Sequence, residues 1–196
     1  MSNPMATTSE VMVMRMLIIG LVFVLGGLGQ AALADQDDPR LDALFGKLGA
    51  AGSAETAEAV EAEIWTIWLE IDDSASARLL RQGSDAMARR LFPIAIHSFN
   101  RLIDRSPDFA EGWNRRATLH YLMGNDEASI RDIEQTLALE PRHFGALSGL
   151  GLIMLRNDRP AAALRSFEAA LEVHPHLPAA RAHLEPLRQL VEGEPT

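Results

Sequence analysis

Residues 144–177 read FGALSGLGLIMLRNDRPAAALRSFEAALEVHPHL and carry two helical patterns on either side of a polar turn. Gly151 and Ala163 are small, so the two helices can approach each other closely. Phe167 lies four residues beyond Ala163, on the same helical face, and fills the space between the helices. Pro175 ends the second helix because proline lacks the backbone N–H. This stretch therefore predicts a pair of packed antiparallel helices.

Two earlier stretches carry the same pattern at a spacing of 34 residues. Four positions keep a restricted residue type in all three units. Two are always small, one is always large and apolar, and one is always proline: Gly83, Ala117 and Gly151; Ala95, Ser129 and Ala163; Phe99, Ile133 and Phe167; and Pro107, Pro141 and Pro175. The units are residues 76–109, 110–143 and 144–177. A fixed period of this length is typical of repeat proteins, in which each unit buries its apolar face against its neighbours.

At these positions the sequence resembles the tetratricopeptide repeat (TPR) family, whose 34-residue signature is W-x2-L-G-x2-Y, then A-x3-F, then P. The third unit matches through Leu150-Gly151, Ala163, Phe167 and Pro175, and the second unit has Trp113 at the aromatic position. The family's tyrosine is replaced by Ala86, His120 and Met154. The resemblance covers residues 76–177 and implies an all-α fold, a short right-handed α-solenoid of antiparallel helix pairs.

Helical segments are also predicted on both sides of the repeats. Residues 35–75 comprise an acidic tail and a helical pair at 40–48 and 55–71, which is either a degenerate repeat or an N-terminal cap. An apolar stripe that includes Trp68 marks the second helix of this pair. Residues 178–196 comprise a C-terminal capping helix and a tail.

Residues 1–34 have the pattern of a secretory signal peptide. Arg15 precedes the apolar run 16–25, and Ala32-Leu33-Ala34 forms a small-residue exit, so we expect cleavage between Ala34 and Asp35. Export to a bacterial periplasm follows from that cleavage. The alternative is an uncleaved anchor in the inner membrane that leaves the domain facing the periplasm, since residues 16–34 are nearly long enough to span a bilayer.

Composition and motifs argue against several functional classes. The net charge is −9, whereas nucleic-acid binding needs a clustered basic surface. The absence of cysteine excludes disulfides and thiolate metal sites. No phosphate loop, nucleophile elbow or metalloprotease helix occurs in the sequence, so we expect neither an enzyme nor a cofactor.

Histidine and tryptophan side chains are interpreted as structural. The six histidines lack the spacing of a metal site, and we expect exposed turn residues together with a partly packed His120. Trp65 and Trp68 are three residues apart and are expected at core and boundary positions of one helix.

The resemblance implies that the first helix of each unit lines a concave groove that holds a protein partner. Carried onto this sequence, the groove positions are Ala77, Leu80, Ser84 and Met87; Glu111, Asn114, Thr118 and Tyr121; and Gly145, Ser148, Leu152 and Leu155, with Arg156 beside them. Each set recurs every three or four residues and therefore lies on one helical face. These side chains suit an extended peptide or an amphipathic helix. We expect an exported adaptor for a cell-envelope protein, with a self-associating scaffold (a homo-oligomer) or an accessory subunit of an envelope enzyme complex as alternatives. The alternative for the groove itself is that it packs against the N-terminal helices or against a second copy of the chain.

Overall fold

The computed structural model describes residues 38–193, and within this range every regular element is an α-helix. The helices are α1 Arg40–Gly49, α2 Ala54–Trp68, α3 Ser74–Ala88, α4 Phe92–Arg105, α5 Ala110–Leu122, α6 Asp126–Leu139, α7 Phe144–Arg156, α8 Pro160–Val173 and α9 Pro178–Glu192. The predicted all-α solenoid is confirmed. No helix in the described range combines the length and the apolar composition needed to cross a membrane. The predicted signal peptide and its cleavage site at Ala34 and Asp35 lie outside the described residues.

Three helical hairpins, α3–α4, α5–α6 and α7–α8, follow one another with the period of the sequence. Each hairpin turn contains a residue in the left-handed region: Arg90 (φ 58°), Gly124 (φ 76°) and Asp158 (φ 55°). The next amide in each turn donates back to the preceding helix, as in the 2.9 Å bond from the Asn125 N–H to the His120 carbonyl. This pattern ends the first helix of every unit in the same way and aims the second helix back along it.

Close contact between the two helices of a hairpin depends on the small residues that define the repeat. A Cβ added at Gly151 would lie 2.7 Å from the Phe167 ring, and one added at Gly83 would overlap the Phe99 ring. At the equivalent place in the second unit, Ser129 donates a 2.7 Å hydrogen bond to the Ala117 carbonyl. Both phenylalanine rings are fully buried, so they have no free space into which to move.

Helices α1 and α2, which we call the N-terminal pair, pack on the third unit. Leu41, Leu48 and Ile64 are fully buried and share one apolar cluster with Phe167 of α8. Helix α1 contacts α8 directly. The pair therefore does not extend the stack ahead of the first unit, as a degenerate repeat or a cap at that end would.

The last helix, α9, also packs on α8. Ala180 and Leu187 are buried in the same apolar cluster as the third unit. The His183 ring stacks on the Phe167 ring with centroids 5.0 Å apart. The third unit is consequently covered both by the N-terminal pair and by α9.

Candidate partner-binding groove

A space of about 390 Å³ lies between α5, α7, the start of α9 and α2, and we call it the groove. The side chains that line it include Glu61, Trp65, Asn114, Thr118, Tyr121, Leu122, Ser148, Leu152 and Leu177. Apolar atoms of tryptophan, tyrosine and leucine form most of this set, and hydroxyl and amide groups are interspersed. This combination is typical of sites that fix an apolar anchor and orient it with a few polar contacts.

The groove contains some of the residues predicted for it in the second and third units. Asn114, Thr118 and Tyr121 from α5 face Ser148 and Leu152 from α7 across the groove. Ser148 is 7% exposed, so its hydroxyl can meet only a ligand that enters the space itself.

Residues predicted in the first unit do not line the groove. Leu80 is 6% exposed and belongs to the apolar cluster around Phe99 and Leu102, so its prediction as a partner contact is wrong. Met87 is half-buried against the same cluster, and Ser84 is half-buried on α3. These side chains do not reach the groove because they lie in the first hairpin, where Leu80 and Met87 pack in its apolar cluster.

The prediction that Glu111 faces a partner is also wrong, because its side chain is only 1% exposed. Its carboxylate accepts hydrogen bonds from Asn114 (2.8 Å), Arg115 (2.6 Å) and His143 (3.1 Å). Burial alone would raise the pKa of Glu111, but the His143 hydrogen bond, the Arg115 charge and the Asn114 amide outweigh burial and lower that pKa. Glu111 therefore ties α5 to α7 as a buried carboxylate.

Two histidines expected on the surface are buried, which corrects the sequence-based prediction. His143 is 0% exposed, and its Nδ1 accepts the Ala146 N–H as the N-cap of α7. Because Nδ1 is an acceptor, Nε2 carries the proton and donates to Glu111. His174 is 1% exposed, lies edge-on to Phe144 and bonds Glu61 at 3.0 Å. Both histidines are structural contacts, and in the described residues no three acidic or histidine side chains converge as a metal site requires.

Trp65 and Trp68 occupy boundary and core positions of α2, as predicted. Trp68 is 2% exposed and stacks on His143, whereas Trp65 is partly exposed and lines the groove. The Trp65 ring is 5.5 Å from the Phe144 ring, and its Nε1–H donates to Glu61 at 3.1 Å. A Cβ added at Gly145 would lie 3.0 Å from the Trp65 ring, so the glycine makes room for this wall of the groove.

Arg156 and Leu155, the last two positions of the predicted set, support the groove from outside. The Arg156 guanidinium pairs with Asp126, donates to the Tyr121 carbonyl at 3.0 Å and lies 3.9 Å from the centre of the Tyr121 ring. Leu155 is half-buried against the apolar cluster of the third unit. Arg156 thereby fixes the tyrosine ring, and its charge is matched by Asp126.

Comparison with known proteins fits this architecture. The sequence model of the tetratricopeptide repeat matches residues 80–133 and 117–178. A TPR repeat-containing protein of Rhizobium etli is 37% identical over 158 residues, which are 80% of this chain and 77% of that protein. The chain belongs to the tetratricopeptide repeat family.

Solved structures share the TPR fold at low sequence identity. The first TPR of Spaghetti (RPAP3), bound to the HSP90 peptide SRMEEVD, has a TM-score of 0.58 at 19% identity and covers 62% of this TPR chain and 97% of that one. MamA has a TM-score of 0.57 at 18% identity and covers 76% of this chain and 84% of its own. At these identities the likeness concerns the fold.

Two features of this TPR groove were missed by sequence reasoning. Leu122 lines the groove and is 50% exposed, and Met123 beside it is 41% exposed. A leucine at the last position of α5, where exposed polar residues are usual, is the sequence signal that could have indicated an apolar edge of the groove. Glu61 and Trp65 of α2 line the groove as well, which agrees with the alternative that the groove packs against the N-terminal helices. The 34-residue repeat pattern does not identify these two residues.

Proposed function

We propose that this TPR protein is a non-enzymatic adaptor that binds a segment of a partner protein in the groove between α5 and α7. The observation that carries the proposal is the space of about 390 Å³ lined by Tyr121, Leu122 and Leu152, with Asn114 and Thr118 at hand for polar contacts. A space of that size accommodates one or two apolar side chains of a peptide or an amphipathic helix. The HSP90 peptide bound to the first TPR of Spaghetti supports peptide binding as a use of this fold.

The proposed place of action is the bacterial cell envelope. Support comes from the sequence of residues 1–34, with Arg15, the apolar run and the Ala32-Leu33-Ala34 exit. Cleavage before Asp35 would release the domain into the periplasm, and an uncleaved segment would tether it to the inner membrane. In either case the partner is an envelope protein, and the groove meets it outside the cytoplasm.

The test is capture of envelope proteins by the tagged chain and by an Asn114→Ala, Tyr121→Ala double variant. Both side chains line the groove, so the double variant should lose its partner while its circular dichroism spectrum still shows a folded helical protein. Its unfolding midpoint should fall somewhat, because buried Glu111 loses the hydrogen bond from Asn114. Gln135→Ala, on an exposed position of α6, is the control and should capture normally.

Three results would contradict the proposal in distinguishable ways. If the folded double variant captures the same partner, the groove is not the binding site. If the chain captures only itself and its mass in solution rises with concentration, it is a self-associating scaffold. If the mass of the chain from its native cells includes residues 1–34 and the chain lies in the cytoplasm, the envelope location is wrong.

A further inference from the structure

Glu61 is the charged side chain that α2 contributes to the groove. Its side chain is 26% exposed, and it lies on the same helical face as Trp65. One carboxylate oxygen accepts the Trp65 Nε1–H at 3.1 Å, and the other meets His174 Nε2 at 3.0 Å. A carboxylate held in this way has a fixed position at the groove wall.

Besides Trp65, His174 contacts the Glu61 carboxylate. His174 Nδ1 is buried and has no hydrogen-bond partner among the described residues, whereas Nε2 lies 3.0 Å from Glu61. Nε2 is therefore the nitrogen that donates to the carboxylate, because a proton on Nδ1 would be a buried donor without an acceptor. Glu61 is thus held by two ring N–H donors, one from tryptophan and one from histidine.

Among the described residues, no lysine or arginine pairs with Glu61. The described side chains that line the groove include no lysine or arginine. Arg115 is paired with buried Glu111, and Arg156 is paired with Asp126, so each of these cations is balanced by its own partner. The whole chain carries a net charge of −9, which strengthens the attraction of cations toward this wall.

An apolar surface adjoins the carboxylate. The Trp65 ring is next to Glu61 on α2, and Tyr121, Leu122 and Leu152 also line the groove. A ligand that buries an aliphatic side chain among these residues brings its neighbouring residues within reach of Glu61. A neighbouring carboxylate would meet repulsion there, and a neighbouring ammonium or guanidinium would form a charge-assisted hydrogen bond.

From this arrangement we propose that the groove selects a cationic apolar segment, a partner helix or peptide in which Lys or Arg flanks an aliphatic anchor. The inference rests on the proposed adaptor function and specifies the partner of the same groove. Trp65 and Leu122 receive the anchor, and Glu61 binds the cation. A second copy of this chain is disfavoured as the occupant because both copies are acidic.

The test uses the full-length chain and two fluorescent helical peptides with the same leucine face, one with lysine and the other with glutamate at all polar positions. Fluorescence anisotropy should show binding of the lysine peptide and none of the glutamate peptide. Glu61→Gln should weaken binding of the lysine peptide about tenfold, the usual scale for a charge-assisted hydrogen bond. Glu63→Gln removes the same charge from an exposed position of α2 outside the groove lining and should leave binding within about twofold, apart from long-range attraction.

Other outcomes overturn the inference. Equal binding of both peptides, or equal weakening by Glu61→Gln and Glu63→Gln, would show that Glu61 does not select the ligand. Self-association that the lysine peptide does not disperse would make a second copy the occupant. If Glu61→Gln alters the circular dichroism spectrum, Glu61→Asp, which keeps the charge but shortens the side chain, should retain the preference for lysine. If partner capture remains sensitive to the Asn114 and Tyr121 substitutions while the lysine preference is absent, the adaptor function stands and this inference alone fails.

Discussion

The Trp68 ring lies flat against the His143 imidazole, with ring centroids 4.2 Å apart and planes inclined by 5°. Trp68 is the last residue of α2, and His143 is the N-cap of α7. The same imidazole bonds the buried carboxylate of Glu111 on α5. One side chain thus connects the N-terminal pair, the second unit and the third unit.

His143→Ala should destabilise the protein by about 3 kcal/mol, because the variant loses the α7 cap and leaves buried Glu111 without one of its donors. Urea unfolding followed by circular dichroism measures the change. His97→Ala, on an exposed position of α4, is the matched control and should change the unfolding free energy by less than about 0.5 kcal/mol. Equal stabilities of the two variants would contradict the connecting role of His143.

Glu111 should make stability depend on acid pH. Its pKa in the folded protein lies below the ordinary value of 4.5, although burial opposes this, because of the His143 and Asn114 hydrogen bonds and the Arg115 charge. A lowered carboxyl pKa contributes stability that is complete above the unfolded-state value and is lost as the pH falls through the folded-state value. The stability difference between the unaltered chain and Glu111→Gln should therefore narrow as the pH falls from 7 to below about 4. Urea midpoints at several pH values test this, and a constant difference would contradict it.

The repeated hairpins could be predicted from sequence because their determinants are local. Gly151 and Phe167 belong to one hairpin, and steric contact between them fixes the helix spacing wherever the pattern recurs. The burial of Trp68 could be predicted as well, since its position on an apolar helical stripe is a property of α2 alone.

Contact between the groove and the N-terminal helices is an alternative that the sequence leaves open, but the residues that make the contact could not be predicted. The error on the two histidines follows from this. His143 and His174 are polar residues in turns, where exposure is the usual outcome. They are buried because Trp68 and Glu61, far earlier in the chain, pack on them. The family resemblance implies a groove position for Leu80, but it does not reveal that neighbouring apolar side chains cover this position in the first unit.

Two glycines of α7 should respond oppositely to alanine. A Cβ at Gly151 would lie 2.7 Å from the fully buried Phe167 ring, so Gly151→Ala should destabilise the protein by about 1–3 kcal/mol. A Cβ at Gly149 would find its nearest neighbour, the Ile133 Cδ1, at 3.8 Å. Gly149→Ala should consequently stabilise α7 by about 0.5–1 kcal/mol through helix propensity. Thermal and urea unfolding of both variants decide the matter, and similar shifts of the same sign would refute the packing argument.

Leu122 and Leu190 separate partner binding from stability. Both leucines are about equally exposed, at 50% and 52%, but Leu122 lines the groove and Leu190 lies on α9 outside it. Replacing either by serine should change the unfolding free energy by less than about 0.5 kcal/mol, because neither side chain is buried. Leu122→Ser should nevertheless reduce partner capture about tenfold, since a leucine that a partner covers contributes about 1.5 kcal/mol or more. Leu190→Ser should capture normally. Loss of capture in both variants, or in neither, would mean that the rim at Leu122 is not where the partner meets this protein.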